Sequence, residues 1–350
     1  MTTLKDVARR AGVDPSTASR ALSGNGHRAP RLETRERVIA IAREMGYRPN
    51  SVGRSLRTRR TETIGVVVPD VANPGFAEIF KGIREASTAA GYHVVVADGQ
   101  SSSELGAGWD GLAEEGRVDG LLVLAARIRD DTVLRVVRSG FPLVLVNRRS
   151  HGGGASVVMD DATGAVVAVR HLVDLGHRAI GHIAGPENVD TGRRRLAGYR
   201  AAMAEAELVV RDAWISETDY SLNGGAIAAE RLIAQSNDDM PTAIYISSIF
   251  SALGALSVFD NAGLRIPEDL SVIVSDELEL AAHWRPPLTT IRMPLSRMGA
   301  EAARMLFAAI DGQPVAHVVI PDTPQLVLRA STGKPSIRPT SKARGARALA

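Results

Sequence analysis

Polar side chains that suit hydrogen bonding to DNA bases lie close together from residue 15 onward, in the segment Pro-Ser-Thr-Ala-Ser-Arg. If this segment is helical, one face presents Pro15, Ser16, Ser19 and Arg20 outward, because residues three and four apart share a helix face. Arginine is the side chain that most often makes bidentate hydrogen bonds to the guanine edge in the major groove. The segment therefore predicts a helix that reads DNA sequence.

The elements around this segment are those needed to present it. The pattern predicts a first helix with the apolar stripe Leu4, Val7, Ala8 and Ala11. Gly12 ends that helix, and Asp14 and Pro15 begin a second one as its N-cap and first helical residue. The second helix buries Ala18, Ala21 and Leu22. Two short helices joined at a glycine predict a helix-turn-helix, and the alternative is an ordinary helical hairpin.

The distribution of charge favours the DNA-binding interpretation. The chain has 350 residues and a formal net charge of +3. Residues 1–60 contain 14 Lys and Arg against 5 Asp and Glu, whereas residues 61–330 contain 23 against 34. Residues 331–350 contain 5 Lys and Arg and no acid. A basic head on a larger acidic body indicates that the head binds a polyanion while the body does something else.

Length and composition exclude several classes of protein. A chain of 350 residues exceeds what one hydrophobic core usually fills, so two or three domains are expected. The sequence contains no Cys, which excludes disulfides, thiolate metal sites and cysteine nucleophiles. The first ten residues lack the apolar stretch of a signal peptide, and the apolar runs elsewhere are strand-sized. We expect a cytoplasmic protein that spans no membrane.

From residue 63 onward, short runs rich in Val, Ile and Leu alternate with segments of helical spacing. The strand candidates are Thr63–Pro69, Tyr92–Ala97, Gly120–Ala125, Pro142–Asn147, Ser156–Met159, Ala179–Ala184, Thr242–Ser247, Ser271–Ser275 and Val315–Pro321. The helix candidates are Gly75–Gly91, Asp161–Gly176, Gly192–Ala206, Leu222–Ala234, Phe250–Gly263 and Leu295–Asp311. Near-continuous apolar runs are typical of parallel strands buried on both faces. The alternation predicts an α/β fold with open parallel sheets, two rather than one.

A search for catalytic motifs yields little. The sequence has no phosphate-binding loop, no Gly-x-Gly-x-x-Gly after a strand and no Gly-x-Ser-x-Gly elbow. His171, His177 and His182 lack the spacing of metal ligands, so we interpret them as packing or loop-bonding residues. Asp160 and Asp161 are expected to cap a helix rather than to act as paired carboxylates. We expect no cofactor, no metal and no catalysis, and keep an α/β enzyme and a stand-alone ligand-binding protein as alternatives.

Several motifs, in sequence order over about residues 2–332, are those of one family. The motifs in the head are Thr3-Leu4-Lys5-Asp6-Val7-Ala8, Gly12-Val13 and Gly46-Tyr47-Arg48-Pro49-Asn50. Those in the body include Ile64-Gly65-Val66-Val67-Val68-Pro69-Asp70, Arg195-Leu196-Ala197-Gly198-Tyr199 and Pro287-Leu288-Thr289-Thr290. Through them the chain resembles the lactose-repressor (LacI/GalR) family of bacterial transcription regulators.

The resemblance implies an N-terminal all-α helix-turn-helix DNA-binding head and a two-subdomain core like that of a periplasmic sugar-binding protein, with parallel sheets. The implied parts are a head at 1–49, a hinge helix or linker at 50–60, and an effector-binding core at 61–332, whose N-subdomain spans about 61–160 and 292–321 and whose C-subdomain spans about 161–291 and 322–332. The composition of residues 333–350 predicts a disordered basic tail.

The resemblance also assigns DNA contacts residue by residue. Base contacts fall to Pro15, Ser16 and Arg20, and phosphate contacts to Thr17, Ser19 and Asn50. In the hinge, Arg54 joins the DNA-binding set and Leu56 is expected to wedge between base pairs in the minor groove, the alternative being that Leu56 packs on the core. Two residues depart from the family. Arg31 stands at the start of the third helix, where the family usually has a capping Ser nearby, so a weaker first turn is expected there. Gly53 stands where the family prefers Ala.

The effector site is implied in the cleft between the subdomains. The matching positions are Asn73, Phe76, Asn147, Arg195, Tyr220, Ser248 and Asp276. Arg195 and Asp276 suit charge-assisted hydrogen bonds to hydroxyl or carboxylate groups. Tyr220 offers a stacking face for a sugar ring or a base. We interpret the run of arginines that ends at Arg195 as ligand-facing rather than as a second nucleic-acid patch.

The cleft is also where the sequence departs most from the family. An Asn-Asp pair is replaced by Ser248 and Ile249, a Gln by Met293, and a Phe by Ser275. Fewer amide and carboxylate partners predict a sugar or sugar derivative with fewer polar groups, or another small metabolite. The alternative is that Ser248 and ordered waters replace the lost partners, so that a common monosaccharide still binds.

These expectations combine into one functional prediction. The chain is expected to be a sequence-specific transcriptional regulator, a repressor, whose operator affinity is controlled by a small-molecule effector. Its expected partners are a near-palindromic double-stranded DNA operator, a carbohydrate-like effector and further copies of the same chain, as a dimer or a tetramer.

Overall fold

The computed structural model describes residues 2–23, 30–47, 60–99, 108–236 and 239–336. The chain divides into two compact units, Met1–Thr61 and Glu62–Ala350. The expected hinge contacts Asn50, Arg54 and Leu56, together with Gly53, lie outside the described residues. Within the described ranges, no helix is long and apolar enough to cross a membrane.

The first unit contains three short helices, α1 (Leu4–Ala11), α2 (Pro15–Ser23) and α3 (Leu32–Glu44). Thr3 and Asp6 form a capping box at the start of α1, in which each side chain bonds the backbone N–H of the other residue. Gly12 ends α1 with a φ of 66°, the left-handed conformation that glycine adopts without strain. The turn that glycine allows carries the chain directly into α2.

A small apolar core holds these helices together. Val7, Ala18 and Val38, one from each helix, have no solvent exposure, and Ala8 and Ala21 have 1%. Alanine at the contacts lets the helices approach closely. The residue before α3, Arg31, makes no side-chain hydrogen bond to that helix, which confirms the missing cap that the sequence indicated.

The second unit contains two sheets. The strands are β1 (Thr63–Val68), β2 (His93–Asp98), β3 (Gly120–Val123), β4 (Leu143–Val146), β5 (Ala155–Val158), β6 (Ile180–Ala184), β7 (Ile215–Glu217), β8 (Ala243–Ile246), β9 (Ser271–Ser275), β10 (Thr289–Arg292), β11 (Val318–Val319) and β12 (Gln325–Val327). The helices are α4 (Ala77–Ala89), α5 (Gly111–Glu114), α6 (Asp131–Arg138), α7 (Asp161–Asp174), α8 (Asp190–Glu205), α9 (Leu222–Ser236), α10 (Ile249–Asn261), α11 (Glu279–His283) and α12 (Leu295–Ile310).

Strand order shows how the chain is shared between the sheets. The first sheet has the order β11-β5-β4-β3-β1-β2 and the second β12-β10-β9-β8-β6-β7. The chain leaves the first sheet after β5, returns to it between β10 and β11, and crosses once more to form β12. Each described pairing is parallel except that of β12 with β10. This is the α/β architecture that the alternation predicts, with one antiparallel edge strand added.

Helices cover both faces of the sheets, and α4 and α12 cross in close contact. A Cβ atom added to Gly82 would lie 1.9 Å from the carbonyl oxygen of Ser296, and one added to Gly299 would lie 2.2 Å from that of Ile79. Only glycine permits this distance between the two backbones. The crossing holds α12, which follows β10 of the second sheet, against the helix layer of the first.

The structure adds elements that the sequence pattern missed. Strands β7, β10 and β12 and helices α5, α6 and α11 have only three to eight residues each, too few for the sequence pattern to identify them. The expected strand Val315–Pro321 is only two residues long, Val318–Val319. The disorder expected from residue 333 onward is wrong for Gly333, whose N–H donates to Ser271 Oγ at 3.0 Å. Residues 337–350 lie outside the described ranges.

Candidate DNA interface and ligand cleft

The outward face of α2 carries the side chains expected to contact DNA. Pro15, Ser16 and Arg20 are exposed, and Thr17 and Ser19 are partly exposed. Asp14 caps the helix in the expected way, since its Oδ1 accepts the backbone N–H groups of Ser16 at 2.8 Å and Thr17 at 3.1 Å. Hydrogen bonds from the side chains of Ser16 and Thr17 hold the pKa of Asp14 well below its usual range. The start of α2 is thus fixed by a local network.

Arg20 lies along its own helix. Its Nε donates to the Ser16 carbonyl oxygen at 3.2 Å, and a terminal nitrogen lies 3.1 Å from Ser16 Oγ and 3.2 Å from Thr17 Oγ1. Exposed hydrogen bonds of this kind exchange readily with water, because each contributes little net free energy. The guanidinium can therefore turn outward to a base edge without breaking a buried contact.

The second unit contains a cleft of about 1020 Å³. Its polar wall is supplied by loops and helix starts that follow strand ends: Asn73 after β1, Arg127 after β3, Asn147 and Arg148 after β4, Thr191 and Arg195 after β6, Tyr220 after β7, Ser248 after β8 and Asp276 after β9. The carboxyl ends of parallel strands converge at one edge of a sheet, which is the usual position of ligand sites in open α/β folds. Both sheets contribute to this cleft.

Arg195 is the best-connected side chain in the cleft. It is 4% exposed, and its Nε donates to Asp161 Oδ1 at 2.8 Å. One terminal nitrogen donates to Asp276 Oδ1 at 3.1 Å, and another contacts Asp276 Oδ2 at 3.3 Å and the Ser247 carbonyl oxygen. Burial disfavours the charged form, but the carboxylates of Asp276 and Asp161 outweigh it and raise the pKa of Arg195. Arg195 and Asp276 therefore face the cleft as a bound pair.

Tyr220 occupies a strained position on the floor of the cleft. Its φ is 68°, in the left-handed region that a non-glycine residue adopts at a cost. A Cβ atom added to Gly185 would lie 2.0 Å from the phenolic oxygen, so the Tyr220 side chain rests directly on the glycine backbone. Its hydroxyl lies 3.4 Å from Thr191 Oγ1, and burial raises the pKa of the phenol. The ring is held in place by backbone geometry and a small neighbour.

Asn147 and Arg148 follow β4 and enter the cleft with unused polar atoms. Asn147 also has a positive φ, 64°, and its buried Oδ1 accepts no hydrogen bond among the described residues. Arg148 is 7% exposed, and its single side-chain hydrogen bond within the described ranges joins a terminal nitrogen to the Ala126 carbonyl oxygen at 3.3 Å. Burial lowers the pKa of Arg148 to about 10.

Two of the remaining expected cleft residues, Asn73 and Ser248, use their side chains to accept hydrogen bonds from backbone N–H groups. Asn73 Oδ1 accepts the N–H of Gly75 at 2.9 Å and so caps the 3-10 turn that ends at Phe76. Ser248 Oγ accepts the N–H of Ser251 at 3.3 Å and caps α10. All three of Asn73, Phe76 and Ser248 line the cleft. Their side chains shape its wall while stabilising the helices behind it.

The chain is similar to two known protein families and to a known repressor. Residues 3–50 match the model for bacterial regulatory proteins of the lacI family, and residues 169–332 match the periplasmic binding protein-like domain. The HTH-type transcriptional repressor PurR of Photobacterium profundum is 35% identical over 333 residues, which cover 95% of this chain and 98% of that protein. The chain belongs to the lacI family of bacterial regulatory proteins.

Solved structures of lacI-family proteins agree with this assignment over the whole chain. The lac repressor dimer bound to operator and the anti-inducer ONPF is 28% identical with a TM-score of 0.80, covering 95% of this chain and 99% of that one. The transcriptional regulator CelR–cellobiose complex is 32% identical with a TM-score of 0.70, covering 95% and 100%. This lacI-family protein is a DNA-binding transcriptional regulator with a periplasmic-binding-protein-like core.

The structure of this lacI-family protein also corrects parts of the sequence interpretation. Met293 does not line the cleft: it is 6% exposed and packs beneath α7, with its sulfur 3.2 Å from the position of a Cβ on Gly164. Ser275 bonds the hydroxyl of Tyr245 at 2.6 Å and is likewise absent from the cleft wall. Of the three departures from the family, only the Ser248–Ile249 pair lines the cavity.

The histidines and the Asp160–Asp161 pair, which the sequence left outside the proposed sites, have structural roles. His177 bonds Thr242 and Gly333, and His182 stacks between Tyr199 and Tyr245, so these histidines serve packing and loop bonding. Asp160 caps α7 through the N–H of Thr163, as expected. The capping role expected for Asp161 is wrong, because this buried carboxylate pairs with Arg194 and Arg195.

Sequence reasoning missed Arg148, which is buried in the cleft wall as Arg195 is. A signal was present, because Arg148 directly follows Asn147 at the end of a predicted strand. Its importance rests on burial without a carboxylate partner among the described residues, which no spacing rule reveals.

Proposed function

We propose that this lacI-family regulator represses transcription from a near-palindromic operator by placing α2 in the major groove. The support is the exposed face of α2, where Arg20 extends from a helix start fixed by Asp14. Pro15, Ser16 and Arg20 contact base edges, and Thr17 and Ser19 contact phosphates. Asn50, Arg54 and Leu56 complete the contacts, with Leu56 entering the minor groove.

The domain boundaries follow from this role. Residues 1–49 form the head, 50–60 the hinge, and 61–332 the core, whose subdomains are 61–160 with 292–321 and 161–291 with 322–332. The membership of β11 in the first sheet and of β10 and β12 in the second supports the two late crossings. Two heads on one palindrome require at least a homodimer, and the similar lac repressor structure is that of a dimer bound to operator. The protein acts where the DNA is, in the cytoplasm.

The cleft binds the small-molecule effector that sets operator affinity. The observation that carries this assignment is the set of buried polar groups around one cavity, above all Asn147, Arg148 and the Arg195–Asp276 pair. Hydroxyl groups of a sugar or sugar derivative match the remaining lone pairs of Asp276, and its ring matches the face of Tyr220. One similar solved structure, that of CelR, is a complex with cellobiose. The cleft binds this ligand without converting it.

A two-part experiment tests the function. Selection of duplex sequences by the full chain should return a near-palindrome, and a thermal-shift screen of small metabolites should return ligands that change its affinity for that operator. Asp276→Ala should abolish the ligand response while operator binding persists, because Asp276 belongs to the cleft and not to the head. A ligand response that survives this substitution would remove the effector from the cleft, and turnover of the ligand would make the protein an enzyme.

A further inference from the structure

Arg148 is a buried cation whose hydrogen-bonding capacity is almost unused. A guanidinium carries five N–H donors, yet within the described ranges only one long bond, to Ala126, is formed. Burial is the main cause of its lowered pKa, and the positive charges of Arg195 and Arg127 act in the same direction. Tyr220 and the carboxylate of Asp190 oppose them without outweighing the burial. The group remains a cation at neutral pH in a place where a cation is unfavourable.

The neighbouring arginines are satisfied, which makes Arg148 distinct. Arg195 is bound by Asp161 and Asp276, and Arg194 by Asp161 and Asp190. A buried charge costs free energy unless it is paired and hydrogen-bonded. Asp190, the carboxylate whose charge acts on Arg148, is paired with Arg194, and no ion pair of Arg148 is formed within the described ranges. We therefore expect the partner of Arg148 from the cavity that it lines.

Asn147 provides an independent observation at the same point. Its Oδ1 is buried and accepts no hydrogen bond among the described residues, although its backbone is fully used. The backbone N–H donates to Val157 at 2.8 Å, and the carbonyl oxygen accepts from Arg194 at 2.9 Å. These bonds hold the backbone of Asn147 in the left-handed conformation that directs its side chain. The side-chain oxygen is thereby kept buried without a partner among the described residues, which costs free energy.

Further positive charge lies on the loop after β3. Arg127 and Arg129 line the same cavity with exposed side chains, and Arg127 is near enough to lower the pKa of Arg148. The acid between them and α6, Asp130, caps that helix by accepting the N–H of Val133 at 3.1 Å. Asp131 and other acids also line the cavity, so the loop offers an entering anion local cations, with Arg148 buried behind them, rather than a uniformly positive wall.

We propose that the ligand of the cleft carries an anionic group, a carboxylate or a phosphate ester, which binds Arg148, on a hydroxyl-bearing body that reaches Asn147 and the Arg195–Asp276 pair. The planar guanidinium makes paired hydrogen bonds to either anion. The inference rests on the proposed function only in taking this ligand as the effector. A neutral sugar offers Arg148 hydroxyl acceptors but no negative charge, so it leaves the buried cation uncompensated and binds less tightly.

The first test needs no identified ligand. Full-length wild type is compared with Arg148→Met and with Arg149→Met, a matched control because Arg149 is exposed and does not line the cleft. In chloride buffer, Arg148→Met should unfold about 2–4 °C above wild type, since it removes an unpaired buried charge. Added inorganic phosphate should raise the unfolding temperature of wild type and Arg149→Met but not of Arg148→Met.

Two outcomes of this test overturn the proposal. An unfolding temperature of Arg148→Met at or below wild type in chloride would mean that the chain itself partners Arg148. Equal stabilisation of wild type and Arg148→Met by phosphate would mean that the anion binds elsewhere, as an adventitious ion only.

The second test separates the anion from the effector role. Calorimetry compares ribose and glucose with ribose 5-phosphate, glucose 6-phosphate, ribonate and gluconate, followed by operator binding. A charged compound should bind at least tenfold more tightly than its neutral parent, and Arg148→Met but not Arg149→Met should erase the preference. A neutral sugar that binds as well as its charged forms and shifts operator affinity would keep the proposed function and remove the anionic group. A charged compound whose binding depends on Arg148 but leaves operator affinity unchanged would keep the anionic group and remove the effector role of the cleft ligand.

Discussion

The face of α2 that carries Pro15, Ser16 and Arg20, here called the reading face, and the wall of the cleft contain the same kinds of side chain. The reading face is exposed to water, whereas the polar groups of the cleft wall are largely buried. Arg20 on α2 is exposed and hydrogen-bonds residues of its own helix, whereas Arg195 in the cleft is 4% exposed and bonds carboxylates 34 and 81 residues away. The residues that we propose to contact base edges occupy one helix, and those that line the polar wall of the cleft follow seven different strands.

This difference determines what each region can tolerate. Water satisfies the exposed polar groups of α2 before DNA replaces it, so a substitution there changes recognition with little effect on folding. The cleft must satisfy its charges internally, because an unpaired buried charge is costly. Substitutions in the cleft are therefore expected to change stability and ligand binding together.

The largest expected effect is at Arg195. Arg195→Ala leaves the buried Asp161 and Asp276 without their shared partner and should lower the free energy of unfolding of the core by about 3–5 kcal/mol. Urea unfolding followed by the fluorescence of Trp109, Trp214 and Trp284, which all lie in the second unit, measures it. The control is Arg265→Ala, which breaks an exposed pair and should cost at most about 1 kcal/mol. Equal losses would contradict the contrast between buried and exposed charge.

Acid should destabilise the core through His182, which lies beside the cleft. Burial lowers the pKa of His182 to about 4, so between about pH 6.5 and 4 the unfolded chain binds a proton that the folded chain does not. Stability should fall as the pH falls through this window, by roughly 3 kcal/mol in total from this group. His182→Gln should flatten the decline measured by urea unfolding, and His93→Gln, at an exposed strand position, should not.

At the reading face, Arg20→Ala should weaken specific operator binding by about 1–3 kcal/mol and relax the preference at one base pair. Binding to random duplex should change little, and the unfolding midpoint of the chain should stay within about 0.5 kcal/mol of wild type. Fluorescence anisotropy with both duplexes, at one stated salt concentration, measures the difference. Equal weakening on specific and random DNA would make Arg20 a phosphate contact instead.

The smallest expected effect compares two helix caps of the same design. Asp14→Ala and Ser248→Ala each remove one cap, from α2 and α10, and each should cost about 0.5–2 kcal/mol. Amide hydrogen exchange should show the Asp14 loss confined to the first turns of α2, because that cap is local and exposed. The Ser248 loss should spread into α10 and the adjoining core. Confinement of both effects, or spreading of both, would argue against the distinction between the two regions.

Much of the head could be predicted from its sequence, for a physical reason. The glycine at 12, the acid at 14 and the proline at 15 act on their nearest neighbours, and the alanines at 8 and 18 need only to be small. The family motifs likewise locate the cleft positions. They could not show that Arg195 and Asp276 bind each other, or that Met293 lies under α7 instead of in the wall.

The sequence by itself determined the helix-turn-helix, the α/β alternation and the membership of the family, because these depend on local periods and on motifs in chain order. Tertiary structure decided which side chains share the cleft and which of them are already paired. Strand order brings Arg148 and Arg195 to one cavity from opposite sheets. Once buried, a charge without a partner costs free energy, which a bound partner would lower. Burial and pairing depend on residues far apart in the chain, so they exist only once the sheets have formed.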